Sequence, residues 1–566
     1  MKIIKLTALV MCFALIITSC KKTSDQGKMI PKNAIVVVHV DSKSLLSKVS
    51  WDEIKQTNWY KEISSDTSVT GWKKQLLENP ENSGIDIKGG FVFFYQKSNA
   101  ADDGQAVFEG NVKDAKAFEQ FNKNLDPAST SVKDGDVTML TLKNKSVVGW
   151  NASKFVYVVS TPSTKGMPYG VDTLNVPAPP VNVTDKLSAV CKRLFALNPD
   201  SSLAKNEKFA NLLSEAGDVH YWQNTEQIMN SIPQMGMLGM LKLDVFFKGN
   251  VSTATANFDN GKININQKMY AGKELTDMIE KYGGSKINTD MIKNIPSQNV
   301  TGLLVVNFKP EGIKEIIKLT GMDGMANMFL SQQGLTLDDF VKATKGDMLF
   351  AVTDLQLKKD PLGRDTLNGM SDNQNSKPDA SYLFSLSIGD KASLDKIISA
   401  GKKMTASDTP SVKLVENDKY FVMGNKPENM SKYLSGGNSI FPFMDKLSGH
   451  PIAGFIDINK ILTTVNMHPM GDSSNKAVMD ASVKMWDNIY FMGGEMKDGA
   501  LVMNTEINLL DKNTNSLKQL NQYFDNIAKV MMEKEKREKA NQVTFDTIGA
   551  PPHGMNKVDS ALKPRH

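Results

Sequence analysis

Asp259-Asn260-Gly261-Lys262-Ile263-Asn264-Ile265-Asn266 decides how this chain folds. From Lys262 onward, polar and apolar side chains alternate with a period of two, the mark of a strand with one buried and one wet face. The Asn-Gly ahead of it is a turn dipeptide that tolerates positive φ at both corners, so residues 245–255 and 262–269 are expected to form a hairpin. Lys497-Asp498-Gly499 does the same between residues 489–496 and 500–507. Tight turns and half-wet strands argue for antiparallel sheet with helices packed on one face, hence α+β rather than a doubly wound parallel fold.

Working outward, each hairpin is followed by a helical pattern, at 274–282 and 517–524, and preceded by matching elements. Ile30-Pro31-Lys32-Asn33 leads into a β-branched run and a helix, and Ile295-Pro296-Ser297-Gln298-Asn299 does likewise. Gly84 to Gly90 precede one apolar strand; Gly334-Leu335-Thr336-Leu337 and Lys345-Gly346-Asp347 precede its counterpart. Strands then feed helices through Asp114 and Asp390, acids suited to the orphan amides of a helix start. Residues 155–159 answer 420–423, and the helix and strand of 209–222 answer 443–458. Recurrence in one order predicts a tandem duplication, with copies at 30–287 and 288–527. Residues 162–180 and 360–379 read as loops, 528–542 as a charged helix end, and 543–566 as a disordered tail.

Composition removes several function classes. The 67 basic and 62 acidic residues nearly balance and form no basic stripe, which argues against a nucleic-acid surface. Three Cys and six His in 566 residues exclude a disulfide scaffold and a Cys/His-rich metal protein. At 40% hydrophobic and 23% charged the chain is globular, long enough for about three or four units.

The first residues carry an address. Met1-Lys2-Ile3-Ile4-Lys5 is a positive n-region, residues 6–17 an apolar run too short to span a bilayer, and Ile17-Thr18-Ser19-Cys20 resembles a lipobox. An ordinary cleaved signal with a chance Cys is the alternative. The lipobox, the Ile-Pro-x-x-Ala opening before an apolar strand and an Asp-led helix, and the repetition of that plan resemble lipoproteins of the Bacteroidetes lineage classed under a domain of unknown function, family 4836. The resemblance implies a signal peptide at 1–19, lipid on Cys20, a tether at 20–29 and anchoring in the outer membrane by more than one acyl chain. In that lineage, acids just after the lipidated Cys accompany surface export. Lys21-Lys22-Thr23-Ser24-Asp25 offers one acid against two bases, so a periplasm-facing protein is expected. The lineage's Asp-Ser/Thr-apolar O-glycosylation sequon occurs at Thr173, Thr366, Thr547 and Ser560, all in expected loops or tail.

Chemistry is harder to find. The sequence holds no nucleophile elbow, phosphate loop, dinucleotide fingerprint or metalloprotease motif, so no cofactor or metal is expected. His39 and His220 fall in strands and read as hydrogen-bonded sheet residues, with counterparts near Asn307 and Phe455 that are not His. Asp41 and Asp457 read as helix caps and Cys191 as a buried small hydrophobe. The 31 Met cluster, notably Met235, Met237 and Met240, then Met322, Met325 and Met328, then Met467 and Met470. Adaptable core packing, an apolar surface for a partner or lipid-like ligand, and a thioether copper site at Met467-His468-Pro469-Met470 are the readings open. Two functions follow: a non-enzymatic envelope lipoprotein binding an unknown envelope protein or apolar ligand, or a hydrolase with a cleft between lobes.

Overall fold

The structure is a computed structural model describing residues 25–65, 71–97, 104–161, 183–230, 242, 246–359, 376–404, 413–467 and 473–547. Helix makes up 43% and strand 33%, so the mixed class holds. The strands of residues 27–287, the N-terminal half, are β1 (Val36–Val40), β2 (Phe91–Gln96), β3 (Gly104–Asn111), β4 (Ser131–Asp134), β5 (Val137–Thr141), β6 (Val147–Trp150), β7 (Lys154–Thr161), β8 (Val219–Asn224), β9 (Val251–Asp259) and β10 (Lys262–Tyr270). Those of the C-terminal half are β11 (Val300–Asn307), β12 (Thr344–Lys359), β13 (Ser376–Ile388), β14 (Lys413–Glu416), β15 (Tyr420–Gly424), β16 (Ile452–Asp457), β17 (Trp486–Lys497) and β18 (Ala500–Leu509).

All 18 join one sheet, antiparallel throughout. From edge to edge the pairings run β4-β5-β6-β7-β3-β2-β1-β8-β9-β10-β18-β17-β16-β11-β12-β13-β15-β14. Two separate sheets were expected. They are fused because β10 and β18, which would otherwise end as hairpin edges with unpaired amides and carbonyls, pair with each other from Lys262–Asn508 to Met269–Leu501. Outward from this seam the order is β10-β9-β8-β1-β2-β3-β7 on one side and β18-β17-β16-β11-β12-β13-β15 on the other. The remaining edges, β4 and β14, are four residues each and carry Lys133, Asp134, Lys413 and Glu416, which discourages edge pairing with another chain.

Local chemistry accounts for the elements. Asp41 accepts from the Ser44 amide at 2.9 Å and Asp457 from Lys460 at 2.8 Å, each capping the helix that follows its strand. Asp114 and Asp390 do the same for Ala115–Leu125 and Lys391–Met404. At the β17–β18 turn Asp498 and Gly499 both take positive φ, the type I′ geometry; at β9–β10 only Gly261 does.

Helices cover both faces, not one. Alternate residues such as Val37, Val92 and Val156 pack with Leu187, Val190, Leu194 and Phe209 from helices on one side. Their neighbours Phe108 and Tyr157 point the other way and pack around Phe118 of Ala115–Leu125. The C-terminal half has the same two layers, with Met430 and Tyr433 against Val305 and Val422, and Leu394 and Ile397 against Phe384 and Met423.

The halves also exchange helices. Lys273–Tyr282, after β10, packs on Glu311–Leu319, after β11. Ser516–Thr547, after β18, packs on Ser42–Lys48 and Asn58–Ser65, after β1, with Lys518 paired to Glu53 and Asp525 accepting from the Asn58 amide. Some expected boundaries shift. β9 starts at Val251; residues 376–379, expected as loop, are strand; and the last helix runs on through 543–547, expected as tail, to Thr547. The expected loop at 162–180 lies outside the described residues. Among the described residues no helix is long and apolar enough to cross a membrane.

Candidate functional site

Register aligns one row of side chains across most of the sheet. It runs Val156, Glu109, Val92, His39, His220, Thr255, Asn266, Asn504, Met492, Ala453, Val305, Leu349, Ser385, Val422. Directly paired residues of antiparallel strands point to the same face. In the N-terminal half this row carries a buried polar set.

His220 Nε2 lies 2.9 Å from the Glu215 carbonyl, which can only accept, so that nitrogen carries the proton. In a neutral ring His220 Nδ1 is then the acceptor for His39 Nδ1–H at 3.1 Å. His39 Nε2 is left as a bare lone pair, buried and without a partner. Burial first, then the nearby His220, lowers the His39 pKa to about 4.

Two rungs away, Glu109 is fully buried and accepts from Lys154 Nζ at 3.0 Å, while its second oxygen is unpartnered. Burial raises the carboxyl's pKa against the opposing pull of Lys154. Lys154 also lines a cleft of about 700 Å³, with Lys28, Asp86, Asn111, Asn151 and Phe195. The cleft is shaped by a turn in which Asn151 Oδ1 accepts from the Ser153 and Lys154 amides at 3.0 and 2.9 Å.

A second cleft, about 690 Å³, occupies the matching place in the C-terminal half. There Asn417 Oδ1 accepts from the Lys419 and Tyr420 amides, both at 2.8 Å. Each cleft is completed by the chain just past the helix after that turn, Val183–Phe195 in one and Pro427–Leu434 in the other. The chemistry beneath differs. Ser385 holds the register position of Glu109, Tyr420 that of Lys154, Val305 that of His39 and Ala453 that of His220. The counterparts of the two histidines thus sit two residues before the expected Asn307 and Phe455.

The residues singled out from sequence are scattered. Met322, Met325 and Met328 lie on or just before the helix Asp323–Gln332; Met325 and Met328 are 54% and 60% exposed, beside Phe329 at 50%. Ile316 is exposed on the preceding helix. Met467 is 69% exposed. Met235, Met237, Met240, Met470 and His468 lie outside the described residues, as do Cys20, Thr173, Thr366 and Ser560. Thr547 ends the last helix, where a tail was expected. Cys191 is buried in the N-terminal core. Among the described residues no three His, Cys, Asp or Glu side chains are grouped to hold a metal ion. Glu109 and Lys154 went unnoticed in the sequence; the related runs Asn151-Ala-Ser-Lys-Phe-Val and Asn417-Asp-Lys-Tyr-Phe-Val were the available signal for the cleft turns.

The features define an α+β protein on an open antiparallel sheet, with a cleft in each half and a buried glutamate paired to a lysine beneath one of them. The chain belongs to the family described as Domain of unknown function (DUF4836), whose model matches residues 27–435, a stretch that takes in β1 through β15. Neither a curated protein nor a solved structure matches the chain.

Proposed function

We propose that this is a periplasm-facing outer-membrane lipoprotein, anchored through Cys20 and built by tandem duplication of one α+β unit, which binds an envelope protein or an apolar, lipid-like ligand without catalysing a reaction. The observation that carries the binding role is the exposed apolar face at Met325, Met328 and Phe329, with Ile316 also exposed on the preceding helix. Met325, Met328 and Phe329 stand at i, i+3 and i+4, one face of a helix, and Met is the side chain best able to adapt to varied apolar partners. The duplication is supported by the palindromic strand order, the matched clefts and the reciprocal exchange of closing helices.

Native mass spectrometry of protein extracted from its own membrane tests the binding role. A bound species is expected on the wild type and not on Met325→Glu/Met328→Glu, whose circular dichroism should be unchanged. A bare wild type, or equal loading of both, overturns it. Labelled palmitate should enter the wild type and not Cys20→Ser.

A further inference from the structure

Burying an ion pair is costly unless good geometry and extra hydrogen bonds compensate. Glu109 receives one such bond, from Lys154, and leaves an oxygen unpartnered; His39 adds a bare nitrogen nearby. The other end of the same row shows that the architecture stands without them, on Ser385, Tyr420, Val305 and Ala453. Folding alone does not call for the polar set.

We propose that the N-terminal cleft is a binding site for a small sugar acid, whose carboxylate pairs with Lys154 and whose hydroxyls meet Asn111, Asn151 and Ser153, and that binding is coupled to protonation of Glu109. An ammonium has three donors, and Glu109 takes one from Lys154, which lies at the cleft wall. Lys28 and Lys154 stand against Asp86 at the lining and Glu109 beneath it, so the named charges balance until Glu109 is protonated, which frees the Lys154 charge for an anion. Phe195 and Leu197 supply an apolar wall for the C–H face of a sugar ring, and about 700 Å³ is ample for one.

A ligand carboxylate at Lys154 takes over part of the cation that Glu109 now holds. Two carboxylates sharing one ammonium in a desolvated setting favour a proton on one of them, and Glu109, whose burial already raises its pKa, is the one to take it. The charged and titratable groups around it are Lys154 on β7, His39 on β1, His220 on β8, Asp41 past β1, and Lys28 and Asp86 at the cleft. His39, lowered to about 4, stays neutral near pH 6 to 7 and is not the group that takes up the proton.

Calorimetry on the purified full-length chain tests this, with D-glucuronate as probe, D-glucose as its neutral control, and two buffers of different ionisation enthalpy. Glucuronate should bind about tenfold or more tighter than glucose, with uptake of about one proton and affinity rising as pH falls. Glu109→Gln should bind glucuronate without proton uptake and without that pH dependence. Lys154→Tyr/Glu109→Ser carries the pair that the other half tolerates; it should fold normally and lose glucuronate. No binding by the wild type, equal affinity for the two sugars, proton uptake persisting in Glu109→Gln, or full binding by the double variant each overturns the proposal.

Discussion

Asn504 donates its side-chain amide to the side-chain carbonyl of Asn266 at 2.6 Å, and the two residues are also paired in the backbone register of β10 and β18. They sit at the midpoint of the row that crosses the sheet. Thr255, His220 and His39 lie successively further out on one side, and Met492, Ala453 and Val305 on the other. The row is buried at both ends and meets solvent at Asn266, which is exposed.

The seam and the exchanged helices make each half dependent on the other. Residues 20–287 expressed alone would leave the β10 edge and the faces of Ser42–Lys48 and Asn58–Ser65 uncovered. Separate expression of 20–287 and 288–566 should give aggregates, and co-expression a one-to-one complex by size-exclusion chromatography. Two well-behaved monomers would refute interdependence.

The histidine pair makes stability depend on pH. The folded pKa of His39, about 4, lies below its ordinary 6.5, so the unfolded chain takes the proton first. The stability that His39 brings is whole above pH 6.5 and is lost as pH falls toward 4, by up to about 3 kcal/mol. Urea titrations across that window should show the loss in the wild type and a smaller one in His39→Val/His220→Ala. Glu109 titrates in both proteins and with the opposite sign, so the difference between them isolates the histidines.

Cys191 is closed to reagents. Burial pushes its thiol up to about 12, and Sγ lies so close to Gly149 that a Cβ there would sit 2.2 Å away. A maleimide should label it in denaturant and not in the native protein. Gly149→Ala should destabilise by about 1–3 kcal/mol, read as a lower urea midpoint.

Glu506 clasps the halves together. It accepts from Lys262 of β10 at 3.2 Å, from Asn508 at 3.0 Å and from Lys446. Burial raises its pKa, but the hydrogen bonds from Lys446 and Asn508 and the Lys446 charge outweigh that and hold it low. Because both lysines are partly exposed, Glu506→Gln should cost only about 1–2 kcal/mol. A variant as stable as the wild type would remove the clasp.

Much of the fold was legible where structure is local. The alternation from Lys262, the Asn-Gly and Asp-Gly turns, and the capping acids Asp114 and Asp390 announce strands, hairpins and helix starts within a few residues of chain. The fused sheet was not legible, because the pairing of Asn266 with Asn504 joins residues distant in sequence and follows from each hairpin's need to satisfy an edge. Nor was the polar set. Glu109, Lys154, His39 and His220 come from β3, β7, β1 and β8, and only register makes neighbours of them; matching by sequence alone put the counterpart of His39 two residues past Val305.

The antiparallel seam is isologous: each side offers the other the same edge, as two identical subunits do about a two-fold axis. Such an interface closes on itself and cannot propagate into a filament. Held within one polypeptide, it also forms at an effective concentration that dilution does not touch. A homodimer of one unit would be bound to carry its buried carboxylate twice. A single chain is free of that symmetry, and can keep a charged pocket on one flank while the other flank, with Ser385 and Tyr420, goes its own way.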